Sequence, residues 1–191
     1  MSIDLPGFAD PVADAQATFR ALLDAIARPG TIQSVGAGLV APAPLDPATA
    51  AALLTLIDAD AALHIAADCD AARDWLVFHC GTTPCEQVGA AAFVVTRAMP
   101  DLASLSAGSD EGPEESATLL LQVAALGSGT GWRLAGPGLK QPSVLQVDGL
   151  PADFAARWAA NHALFPRGVD LVLCAGTTLA AIPRSIVVTE S

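Results

Sequence analysis

The stretch from Phe165 to Ser185, F-P-R-G-V-D-L-V-L-C-A-G-T-T-L-A-A-I-P-R-S, constrains the fold more than any other part of the chain. Pro166-Arg167-Gly168 is a turn signal, and Val169 to Cys174 is apolar except for Asp170. Ala175-Gly176-Thr177-Thr178 interrupts that run, Leu179 to Ile182 is apolar again, and Pro183-Arg184 ends it. Two short apolar runs around a glycine-containing turn predict a β-hairpin. So little polar alternation predicts strands covered on both faces, in the middle of a layered domain. Asp170 and Arg184 flank this apolar core, where a charge is costly unless paired or hydrogen-bonded.

A chain of 191 residues fits a single domain over residues 1–191. It is long enough to bury a core without disulfides or metals. No apolar run reaches the ~20 residues that span a bilayer. The start, Met1-Ser2-Ile3-Asp4-Leu5-Pro6, lacks the apolar stretch of a signal peptide. The expectation is a soluble cytoplasmic protein with no membrane partner, in which Cys69, Cys80, Cys85 and Cys174 are free thiols. A net charge of −11 repels phosphate backbones and argues against nucleic acid as a partner. Lys140 is the only lysine, so it is the one candidate for Schiff-base chemistry.

Helix signals come first along the chain. Asp10-Pro11 supplies an N-cap acceptor and a proline suited to the first helical position. Phe19, Leu22, Leu23 and Ile26 then predict one apolar face, with Arg20 and Asp24 pairing on another. Pro29-Gly30 stops the helix, and Thr31 to Val35 reads as a short strand. Asp46-Pro47 repeats the start signal before a helix over 48–57. A strand over 61–66 containing His64, a helix over 70–79 and a strand over 91–96 follow. A short helical turn over 101–106 and a solvated acidic loop over 107–116 come next. Strands are predicted over 118–126 and 132–135, joined by a tight turn at Gly127–Gly131, with a helix over 151–162 and a last strand over 186–188. The fold class is therefore α/β, a layered mixed sheet with helices.

No complete catalytic set emerges, and no catalytic, cofactor-binding or metal-binding residue is assigned. The Gly127–Gly131 run lacks the Gly-Lys-Ser/Thr and the helix start that cradle phosphates. His79, Cys80 and Cys85 form an H-C-x4-C group, short of the four ligands zinc usually takes. Cys174 sits in an apolar strand, where a thiol is inert, and the Asp110, Glu111, Glu114, Glu115 loop lacks the ligand spacing of a calcium site. The surroundings of Lys140 show no partner for a pyridoxal ring. Asp170 and Arg184 form either a structural pair or a site where Arg184 grips a phosphate or phosphonate oxygen, with His79 as a third candidate.

Several segments together carry a resemblance. They are Pro11-Val12, Ala15-Gln16, Phe19-Arg20 and Ala27-Arg28-Pro29-Gly30; Phe78-His79; and Leu105-Ser106-Ala107-Gly108 with Pro113-Glu114. Ala117-Thr118-Leu119, Leu121-Gln122-Val123-Ala124 and Arg133-Leu134-Ala135-Gly136-Pro137-Gly138 continue the series. Phe165 to Leu171 and Ala181-Ile182-Pro183-Arg184 complete it. In this order they resemble the PhnH family of the bacterial carbon–phosphorus lyase complex, from about residue 5 to residue 186. The resemblance implies a fold like the large domain of pyridoxal-phosphate-dependent transferases, without that cofactor or its lysine. It implies a homodimer in isolation and a complex with PhnG-, PhnI- and PhnJ-like subunits. That complex is implied to couple the ribose triphosphate moiety of ATP to an alkylphosphonate, displacing adenine, before the C–P bond is cleaved. The role implied for this chain is structural and assembling, with the chemistry in its partners. The alternative is a stand-alone phospho-ligand-binding protein or enzyme on a cofactor-less transferase fold, using Arg184, Asp170 and His79.

Overall fold

Asp10 opens the first helix as its side chain allows. In the computed structural model, which describes residues 4–190, the Asp10 carboxylate accepts from the backbone N–H groups of Val12 and Ala13 at 3.2 and 3.1 Å. Those donors have no partner within a helix. Helix α1 then runs Pro11–Ala27 and stops ahead of Pro29. It is followed by β1 (Gln33–Ser34), α2 (Pro47–Leu56), β2 (Leu63–Ile65) and a 3-10 segment leading into α3 (Arg73–Cys80). The chain continues through β3 (Phe93–Thr96), β4 (Thr118–Gln122), β5 (Ala125–Ala135) and β6 (Ser143–Asp148). It ends with α4 (Phe154–His162), β7 (Asp170–Ala175), β8 (Thr178–Ile182) and β9 (Val187–Glu190).

The larger sheet has the order β1-β8-β7-β4-β3-β2. Strands β2, β3, β4 and β7 pair in parallel, and β8 lies antiparallel to both β7 and β1. The expected hairpin is therefore β7–β8, joined by Gly176-Thr177 and flanked by a strand on each side. Gly176 has φ +56°, a conformation that a side chain disfavours. Successive residues alternate between two cores, as the pleat requires. Leu120, Val172, Cys174, Leu179 and Ala181 face the core shared with α1, α2 and α3. Leu119, Leu121, Leu171, Leu173, Ala180 and Ile182 face the other. That second core is closed by a three-stranded sheet, β6-β5-β9, and by α4. Helices, mixed sheet, and small sheet with α4 thus form three layers.

One tryptophan anchors each core. Trp75 and Trp158 are fully buried. Their indole N–H groups donate to the carbonyls of Leu5 (2.9 Å) and Ile186 (2.7 Å). A buried tryptophan brings a large apolar area, and its one polar atom needs such a partner.

Four expectations are corrected. Of the predicted apolar face of α1, only Leu22 is buried, together with Thr18 and Ala25. Phe19, Leu23 and Ile26 remain exposed, because an apolar stripe does not say which neighbour covers it. Asp24 pairs with Arg28 at 2.5 Å rather than with Arg20. The glycine run is no hairpin turn. β5 passes straight through it, with Gly127 opposite Gln146 and Trp132 opposite Leu145, so residues 128–131 bulge out between adjacent partners. A Cβ on Gly131 would lie 2.5 Å from the Leu145 carbonyl oxygen, so glycine serves a close backbone approach there. Finally, the strand predicted over 118–126 is divided. Val123 still donates to Cys174 of the large sheet, whereas Ala124 already donates to Asp148 of the small one. Its continuous apolar character comes from passing between the two. Strand β6 lies in a stretch for which the sequence raised no expectation.

Candidate functional site

Antiparallel pairing of Leu171 with Ile182 brings Asp170 and Arg184 to the same edge of the sheet. Arg184 Nη2 lies 2.6 Å from Asp170 Oδ2, and Nε is 3.2 Å from both carboxylate oxygens. The Arg184 backbone N–H also donates to Oδ1 at 2.8 Å. Nη1 donates to the carbonyl of Pro113 at 2.5 Å. The side chains are 16% and 30% exposed. This fork-on-fork geometry is the strong form of the Arg–carboxylate contact. It ties the start of β7, the end of β8 and the Pro113–Glu115 turn together. The pair sits at the amino ends of the parallel strands, whereas ligand crevices in open α/β sheets form outside the carboxyl ends.

The same edge is stitched to α4. Asn161 donates to the Val169 carbonyl at 2.9 Å and accepts from the Val169 N–H at 2.8 Å. His162 Nδ1 donates to the Arg184 carbonyl at 2.9 Å. Gly168 has φ +118°, and a Cβ there would stand 3.0 Å from the Asn161 carbonyl oxygen. Gly168, Val169 and Asp170 of this motif are thus accounted for by contacts within the fold. Close to it, the Ser116 hydroxyl is buried and lacks a hydrogen-bond partner among the described residues. Ser116→Ala is expected to raise stability by about 1 kcal/mol in urea unfolding, because it removes an unmet polar group.

His79 lies elsewhere. Its Nε2 donates to the Leu5 carbonyl at 3.0 Å, and its ring packs 4.7 Å from Trp75 and 5.0 Å from Phe78. It shares no contact with Asp170 or Arg184. Cys80 and Cys174 are buried, and burial pushes their thiols up to about 11 and about 12. Burial, followed by the Asp68 carboxylate, raises Cys69 to about 12. Thiols so far above neutral pH are protonated and poor nucleophiles. The Cys85 thiol donates to the Gln87 carbonyl at 3.1 Å. Among the described residues no group of three or more His, Cys, Asp and Glu is placed to hold a metal ion. Lys140 is exposed between β5 and β6 of the small sheet.

At the carboxyl edge the key residue is Gln122, which the sequence did not single out beyond its place in the family pattern. It ends β4 and is buried. Its Oε1 accepts from the Asp46 N–H (2.7 Å) and the Thr49 hydroxyl (3.0 Å), and Nε2 donates to the Pro44 carbonyl (2.9 Å). Asp46 Oδ2 in turn accepts from the Gly176 N–H at 2.8 Å. Residues 44–49 are thereby fastened over the carboxyl ends of β4 and β7. The one sequence signal was a lone amide at the end of an apolar strand, since a buried amide must find partners.

These features define a three-layer α/β domain in which the Asp170–Arg184 pair at one sheet edge and Gln122 at the other hold the fold together. The family model for PhnH, described as a bacterial phosphonate metabolism protein, matches residues 6–189, and the chain belongs to the PhnH family. It is 40% identical over 183 residues to a Rhizobium meliloti (strain 1021) protein named alpha-D-ribose 1-methylphosphonate 5-triphosphate synthase subunit PhnH, covering 93% of this chain and 92% of that one. It is 33% identical over 174 residues to the putative C-P lyase subunit protein HtxG of Stutzerimonas stutzeri, covering 89% and 83% of the two chains.

Proposed function

We propose that this chain is a structural and assembly subunit of a carbon–phosphorus lyase core complex in phosphonate catabolism. In this role it supports transfer of the ribose triphosphate moiety of ATP to an alkylphosphonate before C–P cleavage. The observation that carries the reading is similarity over most of the chain to two proteins that are both named as subunits. The partners are PhnG-, PhnI- and PhnJ-like proteins, the isolated chain is a homodimer, and the setting is the cytoplasm. No helix among the described residues is long and apolar enough to cross a membrane. The large sheet with helices on one face is a cofactor-free relative of the large domain of pyridoxal-phosphate-dependent transferases. Lys140, the only lysine, stands exposed in the loop between β5 and β6, outside the large sheet.

The surface proposed for the partner is the outer face of α1. Val12, Phe19, Leu23 and Ile26 are 68%, 47%, 50% and 44% exposed. Their spacing of seven, four and three residues is that of a seam between two helices. An apolar helical seam of this kind fits an amphipathic helix of a partner subunit, which is the occupant proposed in the complex.

A stand-alone phospho-ligand site is less well supported, because Arg184 is engaged by Asp170 and Pro113, and His79 lies apart from both. Co-expression with tagged PhnG-, PhnI- and PhnJ-like subunits tests the assembly role, with this chain expected in the purified complex. Normal growth on methylphosphonate after deletion of the gene, with no second copy present, would refute it.

A further inference from the structure

We propose a second, unassigned site: the cleft between α1 and the loop after β1 binds a compact amino-substituted heterocycle. The cleft has a volume of about 360 Å³ and is walled by Phe8, Asp14, Thr18, Ser34, Leu39 and Val40, among others. That volume lies at the small end of ligand pockets. Ser34 ends β1, so the cleft opens at the carboxyl edge of the large sheet, where α/β domains place ligands.

The polar groups in the wall are the informative part. Thr18 is 3% exposed, yet its hydroxyl makes no hydrogen bond among the described residues. Thr55, also within a helix, donates to the carbonyl four residues back at 2.7 Å, and Thr49, Thr82 and Thr96 are likewise bonded. Thr18 lines the cleft, so its hydroxyl is open to a group that enters there. Asp14 accepts from the Asp10 N–H through Oδ2 at 3.0 Å and has no ion-pair partner among the described residues. The N–H groups of Gly36, Ala37 and Gly38 are likewise unbonded among the described residues.

This combination selects a ligand class. A carboxylate without an ion-pair partner repels phosphate, phosphonate and carboxylate groups, and its second oxygen can accept from an amino group. The free N–H groups and the Thr18 hydroxyl suit ring nitrogen or carbonyl acceptors. Phe8, Leu39 and Val40 offer apolar surface to a flat ring. The site is independent of the subunit role, so either stands if the other fails.

The test is an amide chemical-shift titration of the full chain with adenine and with 2-aminopyridine, set against methylphosphonate and inorganic phosphate. Both heterocycles should shift Gly36, Ala37 and Gly38, and neither anion should. Asp14→Asn keeps an acceptor for the Asp10 N–H, and Thr18→Val keeps the side-chain shape. Each should weaken binding by about tenfold. Thr18→Ser should retain it, and the melting temperature of Thr18→Val should not fall. No shift with either heterocycle, equal affinity in Asp14→Asn and Thr18→Val, or tighter binding of the anions at these amides would overturn the proposal.

Discussion

Arg184→Ala is expected to destabilise the folded chain by about 3 kcal/mol, since it leaves a half-buried carboxylate without its counter-charge. Removing one partner of a fully buried pair costs about 3–5 kcal/mol, and the partial exposure of this pair places it at the low end. The substitution also removes the donor to the Pro113 carbonyl, so the turn at 113–115 loses its tie to β7 and β8. Asp170 keeps only the Arg184 backbone N–H. The measurement is urea unfolding of Arg184→Ala, Asp170→Ala and the double variant. The double variant should be less destabilised than the sum of the singles, because each single strands the group that the other would remove. A ligand-gripping arginine behaves otherwise: its loss would leave stability unchanged and abolish binding of a phospho-ligand.

The double substitution Phe19→Glu with Leu23→Glu is expected to remove this chain from the purified complex while leaving its own fold intact. Both side chains stand about half exposed on α1, and neither belongs to the core beneath it. Surface substitutions of this kind change stability by about 0.5 kcal/mol or less. Within an interface they would bury two unpaired carboxylates, which costs several kcal/mol. Affinity should therefore fall by about a hundredfold or more. The readouts are a pull-down with the partner subunits and a thermal melt of the isolated variant. Retention in the complex with an unchanged melt would move the partner surface elsewhere.

The sequence was most legible where one physical requirement admits one reading. The β7–β8 hairpin was visible because Leu171 to Cys174 and Leu179 to Ile182 are apolar at every position, which only two-sided burial explains. The start of α1 was visible because Asp10 and Pro11 each satisfy a helix-end requirement. The outward turn of Phe19, Leu23 and Ile26 was not visible, since a seam for another protein and a seam for the chain's own core are written in the same residues. The bulge at residues 128–131 was read as a turn because glycine permits both. Strand β6, Ser143–Asp148, lacks strong alternation and a turn of two or three residues that would betray it. At the candidate site the pairing of Asp170 with Arg184 followed from the cost of burying charge. The part played by Asn161, His162 and Gln122 did not, because their partners are distant in sequence or are backbone groups that only the folded chain brings near.

The most direct measurement is turnover of ATP with methylphosphonate, followed by release of adenine, by three preparations. These are the isolated chain, the PhnG-, PhnI- and PhnJ-like subunits without it, and all of them together. A structural subunit predicts no adenine from the isolated chain and co-elution of the chain with the others as one complex. Adenine release by the isolated chain alone, or failure of the chain to join the complex, would contradict it.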